Sequence, residues 1–228
     1  MNGLLFADAF DYPDGVITNE YATKHPKDPR SHLSPRWTAT SGSLFARDGK
    51  AWSGLPDDAG NDEVDVDSKL RNNSAKLRVI TKRADFLSVV VSFNLTNLQL
   101  VTTSETEERD FDGFHVFIRR QTEDLTYYVS VNRRDNTVVI KRKRDCYYPL
   151  NDPAAFNVPL GVPQRVRVES WTVAAGSVAF RLLIDDVLIQ EAVDDSENAI
   201  TVPGAVGIRG DNCEFLVDDF EVHEFVGP

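Results

Sequence analysis

The 228-residue chain is predicted to be all-β, a two-sheet antiparallel sandwich, on three observations. Short runs of alternating apolar and polar residues recur along it, turn residues separate those runs, and no long stretch holds helical periodicity. Alternation reads as strand because successive side chains leave a strand on opposite faces, so period two buries one face and shows the other. With 41% hydrophobic residues the chain can fill a sizeable core, and one domain over residues 1–228 is expected.

The elements follow in order. Segment 86–97 places Leu87, Val89, Val91, Phe93 and Leu95 on one face, and Ser88, Ser92 and Asn94 on the other. Segment 113–120 alternates Phe114, Val116 and Ile118 against His115, Phe117 and Arg119. Segment 125–133 sets Tyr127, Val129 and Val131 opposite Tyr128, Ser130 and Asn132, and 136–143 sets Val138 and Ile140 opposite Lys141 and Lys143. Further strands are expected at 164–173, 177–184, 187–194, 205–209 and 214–224, with turns at Arg134-Asp135-Asn136, Ala175-Gly176-Ser177 and Asp185-Asp186. Residues 19–36, with Pro26, Pro29 and Pro35, and residues 55–75, rich in aspartate from Asp57 to Asp67, read as loops. Loops that long are often functional, and a solvated surface excursion is the alternative.

A formal charge of −11 and a pI near 4.8 argue against nucleic-acid or membrane-surface binding through overall charge, and leave a local basic patch open. No apolar run approaches the roughly 20 residues that span a bilayer, so no membrane insertion is expected. The start, Met1 to Phe6, lacks the basic and apolar stretches of a secretory signal. Either the chain has been trimmed, or it is made in the cytosol and reaches an extracellular or virion surface by another route. Cys146 and Cys213 are too few for a disulfide framework and read as two free thiols, a single bridge being the alternative.

Phe6-Ala7-Asp8-Ala9-Phe10, the run Trp37 to Gly49, and the closing Gly204 to Asn212 with Val217 to Val222 resemble concanavalin A-like and laminin-G-like jelly rolls. Asp14 to Tyr21, taken with Thr40 to Gly49, is similar to jelly rolls of actinobacteria and their phages that accompany minor tail proteins. That likeness implies a virion tail component touching the host envelope, with other tail proteins as partners. The scaffold serves binding modules, glycosidases and lyases alike, so it does not settle function.

Two constellations carry candidate chemistry. Asp8 and Asp218 sit at period-two positions between large apolar residues, and a carboxylate turned inward must be paired, hydrogen-bonded or metal-bound. The resemblance implies a structural Ca²⁺ held by such aspartates with backbone carbonyls near Ser41 and Gly42; Asp219 replaces Asp218 if the register differs by one. Capping of backbone donors is the alternative. The second constellation is the outer face of the central sheet, expected to show His115, Phe117, Arg119, Tyr128, Ser130, Asn132 and Lys141, with Arg209 added if Ile208 points inward.

The resemblance implies a glycan groove on that face. Aromatic faces pack on sugar C–H surfaces, while amides and guanidinium groups bind hydroxyls or carboxylates. Trp37 and Trp52 are candidate platforms from neighbouring loops. Basic residues within so acidic a protein suggest an anionic glycan, unless they pair with the acidic stretch from Glu105 to Asp112. As a polysaccharide lyase, the chain would use His115 and Tyr128 as base and acid, with Arg119 or Asn132 neutralising a uronate.

The Glu-x-Asp-x-x-Glu glycosidase pattern, the phosphate-binding glycine loop, zinc spacings and Gly-x-Ser-x-Gly are absent from the sequence. Asn72 and Asn94 begin matches to the glycosylation pattern. The expected function is recognition of a polysaccharide or cell-surface glycan; a lyase and a purely structural virion protein are the alternatives.

Overall fold

The computed structural model describes residues 3–20, 28–57, 68, 70–72, 76–104, 106–157, 159–174 and 176–227. Among them there is no helix, and two antiparallel sheets pack face to face. The first runs β15 (Val187–Asp194), β14 (Ser177–Ile184), β13 (Gln164–Ala174), β7 (Val89–Leu100), β17 (Cys213–Glu224), β5 (Lys50–Trp52), β4 (Leu44–Arg47) and β2 (Gly15–Thr18). β1 (Leu4–Asp8) also pairs with β17. The second runs β11 (Cys146–Pro149), β10 (Thr137–Arg144), β9 (Leu125–Arg133), β8 (Gly113–Thr122), β16 (Ala205–Asp211), β6 (Lys76–Thr81) and β3 (Trp37–Ser41), with β12 (Ala154–Ala155) beside β10.

The alternating residues fill the space between the sheets. Phe93 stacks on Phe220 at 5.7 Å and meets Phe114 at 5.6 Å, while Phe114 meets Phe215 edge-on at 4.8 Å. All four are fully buried, and such side chains each contribute about 1.5–3 kcal/mol by leaving water. Leu87 departs from the expected pattern: it precedes β7 and is exposed.

Two bulges change which side chains reach the outer face of the second sheet. The backbone at Arg119 is left-handed (φ 49°), where pairing of β8 with β9 breaks between Ile118 and Thr122. Arg119 therefore leaves the face of His115 and Phe117, contrary to its alternation. Its guanidinium, fully buried, donates from Nη1 to the Ile200 carbonyl (3.0 Å) and from Nη2 to the Thr172 hydroxyl (3.1 Å) on the opposite sheet. Arg120 takes the vacated place, with its guanidinium 5.5 Å from the Phe117 ring centre. At the other end of the pair, Phe114 stands opposite Asn132 while His115 stands opposite Ser130, so Val131 is the extra residue. An inserted residue shifts everything beyond it to the other face. Asn132 accordingly sits opposite a core phenylalanine, and Arg133 comes to the outer face.

A second buried charge joins the sheets. Arg142 Nη1 donates to Asp194 at 2.6 Å, and the Tyr127 hydroxyl donates to the same carboxylate at 2.7 Å while accepting from Ile200 N. Burial would raise the Asp194 carboxyl, but bonds from Arg142, Tyr127 and Ser196 outweigh it and hold it below the usual range. Cys146 is exposed, Cys213 is buried, and both are free. Of the two loops, Asn19 bonds His32 through its backbone and side chain, and Leu55 bridges Arg71. Asp58, Asp62, Glu63, Asp65 and Asp67 lie outside the described residues, as do Asn73 and Ser74.

Candidate functional site

Five strands of the second sheet meet in register so that their outward residues close on one cavity. Lys141 stands opposite Tyr128, Tyr128 opposite Phe117, and His115 opposite both Ser130 and Arg209. Edge strand β11 pairs Tyr147 with Lys143. A cavity of about 250 Å³ results, lined by Phe111, His115, Tyr128, Arg133, Lys141, Tyr147, Arg209 and Asp211.

Its floor is a bonded network. Arg209 Nε lies 2.6 Å from Asp211 Oδ2, and its Nη1 donates to the hydroxyls of Tyr128 (3.2 Å) and Tyr147 (3.0 Å). Burial would raise the Asp211 carboxyl, yet Arg209, His115 and Arg78 together hold it below the usual range. Burial likewise works against the Arg209 charge, and Asp211 with the two phenols more than restores it. His115 is bonded to Ser130 through Nδ1 at 2.9 Å, and its Nε2 lies 3.6 Å from Asp211. Burial pushes its pKa well below the usual value, helped by Lys141, Arg209 and Arg133 and opposed by Asp211. The imidazole is thus neutral, with Nδ1 bonded to Ser130. Ser130 is fully buried beneath it and is not placed to act as a nucleophile.

The rim is cationic and aromatic. Lys141 Nζ lies 5.4 Å from the centre of the Tyr147 ring, close enough for the ring face to attract the ammonium. Burial lowers the Lys141 pKa to about 8, with Arg133 and Arg209 adding to the effect. Tyr147 is 45% exposed and Phe111 49% exposed, so two ring surfaces at the mouth are open to a ligand. Beside the cavity, Glu123 joins Arg78 and Arg120 at 3.0 Å each, covering Phe117.

Of the residues singled out from sequence, His115, Tyr128, Lys141 and Arg209 converge here. Arg119 and Asn132 do not line the cavity, for the bulge reasons given above. Trp37 and Trp52 are not platforms. Trp37 is fully buried, stacked on Phe10 with Nε1 donating to Asp8 (2.7 Å); Trp52 is 3% exposed, with Nε1 donating to Glu214 (2.9 Å). Glu105 lies outside the described residues, and among the described residues of the acidic stretch to Asp112 none pairs with Arg119, Lys141 or Lys143. Its described ion pairs go to Arg109 and Arg134, and Lys143 pairs with Asp124 at 2.8 Å. Tyr147 was not foreseen; its segment, Cys146-Tyr147-Tyr148-Pro149, is exposed throughout and carries no alternation.

The residues expected to hold calcium have other work. Asp8 accepts three hydrogen bonds, from Phe10 N, the Tyr12 hydroxyl and Trp37 Nε1. Asp218 is paired with Lys50 at 3.0 Å, and Asp219 accepts from Asn94 at 3.0 Å. Ser41 donates to the Lys76 carbonyl, and Gly42 packs against Asn72. Calcium takes six to eight oxygens, and the three aspartates of this set are already engaged by protein donors, which does not fit that demand. Among the described residues no group of three or more His, Cys, Asp or Glu is arranged to hold a metal ion. A larger open cleft, about 760 Å³, lies beside Tyr12, Asp14, His32 and Pro35. Among the described residues that line it there is no lysine or arginine.

The architecture has clear structural counterparts. A carbohydrate-binding module, CBM66, from Bacillus subtilis superposes with a TM-score of 0.59 at 9% identity, over 82% of this chain and 95% of its own. A Bacillus subtilis protein of unknown function with a galectin-like fold gives 0.59 at 13%, over 99% and 98%. The carbohydrate recognition domain of Emp46p gives 0.56 at 10%, over 92% and 99%. At these identities the likeness establishes the fold, a concanavalin A-like, galectin-like sandwich. No family model matches the sequence, and no curated protein matches it.

Proposed function

We propose that this protein binds carbohydrate in the cavity on the outer face of the second sheet, with preference for an anionic glycan. The observation that carries the reading is the composition of that cavity. Exposed rings of Tyr147 and Phe111 stand at its mouth, above hydrogen-bonding and charged groups from β8, β9, β10 and β16. Aromatic surface with a few fixed polar groups is what sugar recognition requires. About 250 Å³ holds roughly one pyranose ring. The fold shared with a carbohydrate-binding module and a carbohydrate recognition domain raises the prior for this class without assigning the ligand.

The geometry favours binding over elimination chemistry. A lyase base must reach the substrate C–H; His115 is almost wholly buried with Nδ1 bonded to Ser130, and the buried Tyr128 hydroxyl accepts from Arg209. A place on a virion tail rests on the sequence resemblance alone. Retention on a glycan array, with absorbance followed on each hit for unsaturated products, tests the function directly. Selective retention lost on Tyr147→Ala, without new absorbance, supports binding. Rising absorbance would establish a lyase, and no retention would leave a structural virion role.

A further inference from the structure

We infer that Lys141 sets the charge selectivity of this cavity, and that it selects a single monoanionic group on a sugar ring, a uronate carboxylate or a sulfate ester. The inference rests on the glycan-binding reading above and adds to it which charge the site lacks. It follows from counting which charges around the cavity are already matched.

Arg209 is matched by Asp211, 2.6 Å away and itself buried. Arg133 is paired with Asp135 through two nitrogens. His115 sits buried between Ser130 and Asp211 as a neutral ring. Lys143, on the same strand as Lys141 and also near Tyr147 (5.3 Å), is matched by Asp124 at 2.8 Å and the Glu123 carbonyl at 3.0 Å. Lys141 differs from all of these. Among the described residues no carboxylate lies within ion-pair distance of its Nζ, and its ammonium lies over the Tyr147 ring. Of the lysine and arginine side chains that line the cavity, Lys141 alone is unmatched; Arg78 and Arg120, which share Glu123, lie beside the cavity and not in its lining.

One unmatched charge calls for one monovalent anion. A phosphate monoester would bring nearly two charges and set the surplus against Asp211. Lysine presents a compact point charge on a flexible stem, without the fixed fork of arginine. It therefore reads the sign of a ligand group more than its shape, and both a carboxylate and a sulfate ester qualify. The ammonium loses its proton as pH rises through about 8. The other groups facing it are Arg133, Arg209, Asp211 and Asp135, which are ion-paired, and the two tyrosines with neutral His115. Preference for the anion should fade above that pH while binding of neutral sugar does not.

The test is a glycan array printed in matched pairs, each uronate glycan beside its carboxyl-reduced form and each sulfated glycan beside its desulfated form. Wild-type protein should favour the charged member at least about tenfold, ~1.4 kcal/mol. Whether the uronate or the sulfate pairs show it identifies the source of the anion. Lys141→Gln should bring the ratio to about one. Lys143→Gln, which removes the same charge from the same strand outside the cavity, should leave the ratio intact. If Lys141→Gln melts early, Lys141→Met is read in its place. Equal retention of both members by wild type, or a ratio that survives loss of Lys141, overturns this inference while leaving sugar binding established. Failure to retain any glycan overturns both.

Discussion

Arg209 and Asp211 stand two residues apart on one strand, with Nε 2.6 Å from Oδ2, and both are almost wholly buried at the floor of the candidate site. Period two turns both side chains to the same face, where each is the other's main compensation for lost water. Removing one partner of such a pair costs about 3–5 kcal/mol because the remaining charge stays buried. Asp211→Asn is therefore expected to destabilise the fold by that amount in urea titration. Replacing both residues together by apolar ones should cost much less, and a double-mutant cycle measures the difference.

His115 gives the protein a stability that depends on pH. Burial depresses its pKa well below 6.5 in the folded chain, whereas the unfolded chain keeps the ordinary value. Between those two values the unfolded state holds a proton that the native state refuses, so stability rises with pH there. Stability is expected to fall as pH drops from about 6.5 toward the folded value. The depressed Asp211 carboxyl acts in a different window, since its contribution is lost only as pH falls below 3.8. Thermal melts between neutral pH and pH 5 should show a slope for wild type that flattens in His115→Gln.

Tyr147 is expected to act on ligand more than on fold. Its ring is 45% exposed beside Lys141 while its hydroxyl accepts from Arg209. Tyr147→Ala should weaken glycan binding about tenfold, ~1.4 kcal/mol, with a stability change within about 1 kcal/mol. Titration calorimetry and a melt on the same preparation separate the two.

Strand identity was legible wherever alternation ran unbroken. The faces of Phe114, Val116, Tyr128 and Lys141 follow from period two, and His115, Tyr128, Lys141 and Arg209 meet as that period requires. Legibility ended where one residue was inserted. The bulges at Arg119 and Val131 carry no composition signal, yet they send Arg119 inward and exchange Asn132 for Arg133. The tryptophans misled for a different reason. An indole with a buried acceptor is a core residue, and those acceptors, Asp8 for Trp37 and Glu214 for Trp52, lie 29 and 162 residues away in sequence. Tyr147 was missed because a four-residue exposed edge strand ending in proline has no buried face to leave a pattern.

Asp8 offers a test of what the chain ends need. Its carboxylate satisfies the indole of Trp37, the amide of Phe10 and the hydroxyl of Tyr12. Asp8→Ala leaves the first two donors unsatisfied in a buried setting, and each such loss costs about 1–3 kcal/mol. The destabilisation should be the same with calcium as with EDTA, because the acceptor serves protein donors. A wild-type melting temperature that rises on adding calcium would show that a metal contributes as well.

Arg119 supplies the sharpest contrast between the sequence pattern and the fold. Read by alternation it belongs on the outer face; in the structure its guanidinium bonds the Ile200 carbonyl and, on the opposite sheet, the Thr172 hydroxyl. Burial lowers its pKa to about 10, so it stays charged at neutral pH, held by two neutral acceptors. Bonds to a charged group each contribute about 1.5–3 kcal/mol, against which the charge has been carried out of water. Arg119→Ala removes the charge and its desolvation together and opens a void. A destabilisation of about 1–3 kcal/mol is expected, with glycan affinity unchanged. Arg209→Ala should lower both stability and affinity, since Arg209 holds Tyr128 and Tyr147 in place. An affinity loss in Arg119→Ala equal to that in Arg209→Ala would put Arg119 back among the ligand-binding residues.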